Sequence, residues 1–152
     1  MKKQKITIGA ILEIKIENNY YYAQILGKSA CVFFDFFSDK QIKDFSILRD
    51  KPILFIIAVY NDIITNGHWL KVGNLEIREE LKVLPMQFIQ DTLKPDKYEL
   101  YNPNNGEISP ASKQECIGLE CAAVWEAKHV EERILDFYAK RPNIWVEKMK
   151  VK

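Results

Sequence analysis

Cys31, Cys116, Cys121, His68 and His129 are the side chains in this sequence with the chemistry to hold a transition metal or to form a thiol nucleophile. A structural zinc site takes four ligands, commonly with a paired Cys-x-x-Cys spacing. Cys116, Cys121 and His129 supply three ligands and no such pair. On one continuous helix Cys116 and Cys121 would also stand about 140° apart around the axis. No metal and no cofactor is expected. A nucleophilic cysteine needs a base beside it to be a thiolate near neutral pH, and only His68 and His129 could serve. Cys31 lies in an apolar strand and Cys121 precedes Ala122-Ala123-Val124-Trp125, so both read as small core residues. Asp35, inside Phe33-Phe34-Asp35-Phe36-Phe37, could be a general acid if apolar surroundings raised its pKa. No second carboxylate is placed beside it, and an outward or turn-capping position explains it as well. There is no phosphate loop, dinucleotide fingerprint or Gly-x-Ser-x-Gly elbow. These residues describe no enzyme.

Binding is the other class of function to weigh. Tyr20-Tyr21-Tyr22 could stack single-stranded bases on a small barrel, but alternation puts Tyr20 and Tyr22 on one face and Tyr21 on the other, so at least one set is core. Lys and Arg number 22 against 21 Asp and Glu, which leaves no field to attract nucleic acid. A nucleic-acid-binding β-barrel is therefore the second choice. Between Lys113 and Asp136 six acidic residues face three basic ones, so this stretch could meet a basic patch on a partner protein. Tyr21, Glu131, Glu132 and Asp136 are the residues expected at a protein interface, as aromatic anchor and orienting charges. Trp69 and Trp125, in apolar segments, are expected in the core.

The elements that must carry these residues follow from periodicity. Leu12, Ile14 and Ile16 alternate with Glu13, Lys15 and Glu17, the period of a half-buried strand with the apolar set inward. Asn18-Asn19 turns it into a second strand, Tyr20 to Leu26, and Ala30 to Phe37 is a third, apolar on both faces and therefore central. Ser38-Asp39-Lys40-Gln41 fits a capping box for a short helix through Ile42, Phe45 and Leu48. Pro52 opens a buried strand, Ile53 to Tyr60, and Asn66-Gly67 turns into His68 to Val72. Leu75 to Leu93 reads mostly as loop because Pro85 interrupts it. Tyr98 to Asn102 and Glu107-Ile108 form a second hairpin, Ser112 caps a short helix ended by Gly118, and a longer helix runs from about Ala127 to Lys140. The lysines after Trp145 read as a loosely held basic tail, 146–152.

The expected architecture is α+β. A strongly bent antiparallel sheet or small, partly open SH3-like barrel fills the N-terminal half, with the short hairpin and C-terminal helix packed against it. A single domain is expected over 1–152, with its core at about 6–145. The odd cysteine count suits a reducing compartment. Met1 to Lys5 leads into Ile6-Thr7-Ile8-Gly9 rather than an apolar signal core, and Ile53 to Tyr60 is well short of the ~20 residues that span a bilayer. A cytoplasmic protein without membrane contact is expected.

The order of these segments resembles the immunity protein 26 family of bacterial polymorphic toxin systems. The resemblance rests on ITIGAILEIKI, YYYAQILG, FFDFF, PILFIIAV, HWLKVGNLEI and LPMQFIQD, then YELYN, GEISPASKQECIGLECAAVW, HVEERILDFY and RPNIW. Ala10 stands where the family pattern has an acidic residue after the glycine. The resemblance implies a cytosolic protein, encoded near a toxin, that binds and neutralises that toxin in the producing cell. It implies no enzymatic activity, and it assigns no catalytic residue and no oligomeric state.

Overall fold

The computed structural model describes residues 3–152. The described residues form two compact units, one reaching to Lys82 and including Val124–Ala127, the other made of Val83–Ala123 and Lys128–Lys152.

In the first unit, β1 (Ala10–Ile16), β2 (Asn19–Ile25), β3 (Ala30–Ser38), β4 (Ile53–Val59), β5 (Leu70–Asn74) and the two-residue β9 (Val124–Trp125) make a six-stranded sheet in the order β5-β1-β2-β3-β4-β9. Neighbouring strands run antiparallel, except that β9 lies parallel to β4. The expected α+β class and central β3 are observed. The sheet is open and does not close into a barrel. Its register shifts in the β1–β5, β2–β3 and β3–β4 pairings, and extra residues of this kind bend and twist a sheet locally.

Both faces of this sheet are apolar. Ile11, Tyr22, Val32 and Phe34 cluster with Leu48 and Leu81 on one side. On the other, Phe33 lies 4.9 Å from Phe55 and 5.7 Å from Trp69, centroid to centroid. Trp69 and Trp125 are buried as expected. The first hairpin turns through Glu17 and Asn18, with positive φ at Glu17 rather than at Asn18 or Asn19. The expected Ser38 capping box is absent: the Ser38 hydroxyl accepts from Lys40 N, and a 3-10 turn begins later, at Phe45–Asp50, capped by Asp44. A short helix not expected from the sequence, α1 (Asn61–Thr65), precedes the Gly67 turn.

The second unit holds a three-stranded antiparallel sheet, β6 (Gln87–Gln90), β7 (Tyr98–Tyr101) and β8 (Ile108–Ala111), in that order. Here β6 corrects the loop expected for Leu75 to Leu93. It forms because its backbone pairs with β7 and with the segment Glu120–Ala122. The capping box at Ser112 starts α2 (Lys113–Cys116), and Gly118 follows with positive φ. Phe88, Tyr98 and Cys116 form the core of this unit. The last long helix, α3 (Ala127–Tyr138), is followed by α4 (Ile144–Met149), where a loose tail was expected. Asn143 caps α4 by accepting from Val146 N, and Lys152 is tied to Gln90 and Tyr98. No helix among the described residues is long and apolar enough to cross a membrane.

Candidate partner-binding surfaces

The thiols are placed for packing. Cys31 is enclosed in β3, and burial pushes its thiol up to about 12. Cys116 and Cys121 are also raised, first by burial and then by the neighbouring carboxylates of Glu115 and Glu120. A thiol shifted in this direction is a poorer nucleophile near neutral pH. No group of three His, Cys, Asp or Glu side chains among the described residues is arranged to hold a metal ion. His129 instead stacks on Trp145, ring centroids 3.7 Å apart. Asp35 sits half-buried at the β3 bulge, where its N–H donates to the Pro52 carbonyl.

The tyrosine triplet divides by alternation, with Tyr21 and Tyr22 buried and Tyr20 half-buried. Tyr21, expected on the surface, is only 5% exposed and stacks on Phe37, which is 44% exposed. It pairs across the strands with Ile14 and Phe37, so the sheet covers it on both sides. Tyr22 is 1% exposed and cannot stack on a base. Its hydroxyl donates to Glu13 Oε2 over 2.9 Å and accepts from Ile42 N over 3.0 Å. Gln41 donates to the other oxygen, Glu13 Oε1, over 2.8 Å. Glu13 was expected to face solvent, yet it is 6% exposed. Its carboxylate is the cross-strand neighbour of Tyr22 and ties the segment after β3 back onto the sheet.

The acidic residues of α3 have separate partners. Glu132 Oε2 accepts from the Trp145 indole N–H at 2.8 Å. Asp136 accepts from Arg141 Nε at 3.1 Å and from Asn143 Nδ2 at 2.9 Å. Between them these two carboxylates fix the turn into α4 and the ring that α4 lays on α3. Glu131, one residue before Glu132, is half-buried on the same helix. On the same helix Arg133 forms a bidentate pair with Glu120, at 2.7 and 3.1 Å, the geometry that makes guanidinium–carboxylate pairs strong.

The position of α4 creates a feature that no local spacing announced. A cleft of about 460 Å³ lies among β6, the turn after it and the end of α4, and Phe88 and Cys121 line it. Lys148, Lys150 and Lys152 also line it, as does Asp91. Asp91 spends its Oδ1 on the amides of Leu93 and Lys94, which hold its carboxyl below the usual range.

Comparison with known families places most of the chain in one of them: the family model described as Immunity protein 26 matches residues 7–99. No curated protein and no solved structure matches the chain.

Proposed function

The chain belongs to the immunity protein 26 family, and from that premise we propose that it protects the cell producing it by binding one cognate toxin and blocking it. Family membership carries this reading. The thiols support a binding role, since burial moves them away from the reactive thiolate form. The protein acts in the cytoplasm of the producing cell, without catalysis of its own.

On this reading Glu131, Glu132 and Asp136 form the acidic side of α3 that meets a basic patch of the toxin, and Glu132 and Asp136 also set α4. Tyr21 contributes by supporting the exposed ring of Phe37 from beneath. The direct test is isothermal titration of the full chain with an inactivated form of the toxin encoded beside its gene. Saturable one-to-one binding is expected, and no heat of binding with a correctly folded toxin contradicts the proposal.

A further inference from the structure

The cleft in the second unit has an apolar floor and a positive rim. Pro95, Cys121 and Met149 line its apolar part together with the edge of Phe88, which is itself buried in the core of the unit. The fates of the three rim charges decide its character. Lys150 Nζ is paired with Glu147 at 2.9 Å. Lys148 Nζ lies over the Trp145 ring, 5.1 Å from its centroid, and Lys152 Nζ donates to the Lys148 carbonyl at 2.7 Å. An aromatic face and a carbonyl oxygen steady an ammonium group without cancelling its charge. Asp91, which also lines the cleft, keeps its negative charge, steadied by two amides of its own turn, and offsets one of the three ammonium charges. The rim therefore keeps a net positive potential above an apolar base. Such a site complements a group that is both apolar and anionic.

Resting on the immunity reading above, we propose that this cleft is the docking site for an acidic, apolar segment of the toxin. A large apolar side chain of that segment enters among Pro95, Cys121 and Met149, and flanking carboxylates lie against Lys148 and Lys152. Interfaces of this kind draw most of their affinity from one anchor in a desolvated pocket, while rim charges set orientation and association rate. The family-matched span, residues 7–99, supplies Phe88 and the turn carrying Asp91, whereas the three lysines lie beyond it.

The test uses the full chain and the inactivated toxin encoded beside its gene. Two variants probe the cleft: K148E/K152E reverses the rim, and T92W places a bulky ring at its mouth from an exposed turn position. Both should weaken toxin binding by about tenfold or more, with the wild-type affinity falling as salt rises. Hydrogen exchange on the unmodified complex gives a readout that needs no variant. Amides in 88–95 and 148–152 should slow on binding. Wild-type affinity in both variants, or slowed exchange confined to other segments, overturns the cleft and leaves the immunity reading standing. A wild-type chain that does not bind the toxin overturns both.

Discussion

The indole N–H of Trp145 donates to Glu132 Oε2 across 2.8 Å, and the same ring lies stacked on His129. This joins α4 to α3 and gives Glu132 a structural duty that an acidic surface residue does not have. A hydrogen bond to a charged group contributes about 1.5–3 kcal/mol, so Glu132→Ala should lower Tm by about 3–10 °C. Glu132→Gln keeps an acceptor oxygen and should recover most of the loss. Equal melting of all three proteins would remove this bond from the account.

Tyr22 and Glu13 make a second such pair, inside the first unit. Tyr22→Phe strips the buried carboxylate of one donor and leaves the Ile42 amide without its acceptor. Unsatisfied buried polar groups cost about 1–3 kcal/mol each. The urea midpoint should fall while the slope of the transition stays the same. An unchanged midpoint would mean that water replaces the phenol at no cost.

Gly73 on β5 is flat against a ring. A Cβ there would stand 2.6 and 2.7 Å from two Phe45 ring carbons, and overpacking of this kind costs about 1–3 kcal/mol. Gly73→Ala should be destabilising in thermal melts. The penalty should shrink when Phe45 is replaced by Leu, because neighbours in contact do not act additively. An undiminished penalty in that background would mean the ring is not what excludes the methyl.

Alkaline pH should destabilise the fold through Cys31 first. Burial pushes its thiol from the ordinary 9.0 to about 12, and the Tyr22 hydroxyl from 10.0 to about 12. Above pH 9 the unfolded chain gives up the thiol proton while the folded chain keeps it, so stability falls as pH rises. The contribution is fully present below pH 9 and gone above about 12, with Tyr22 adding a loss of the same sign from pH 10. Urea titrations should therefore show wild type losing ground to Cys31→Ala between pH 8 and 10.5. Parallel profiles for the two proteins would exclude the thiol as the titrating group.

The β1–β2 hairpin was legible from the sequence because two-residue alternation is local, and Leu12 and Ile14 lie inward as that pattern requires. The same alternation misplaced Glu13, since a buried carboxylate becomes acceptable only through Tyr22 and Gln41, which reach it across strand pairing and a loop. Likewise, β6 is too short to carry a periodic signal and is defined by its partners β7 and Glu120–Ala122. The lysines after Trp145 looked like a solvated tail, though Asn143 beside Pro142 was a readable cap for α4. The cleft could not be found this way at all. Its two walls are about sixty residues apart in sequence, joined by the bonds between Gln90 and Lys152, and no spacing within either segment announces the other.

The most direct measurement of the central claim is survival on co-expression. Cells producing the proposed cognate toxin in active form should stop growing, and cells producing that toxin together with this chain should grow at the rate of cells lacking it. Growth arrest despite soluble, full-length chain at levels equal to the toxin would contradict the account.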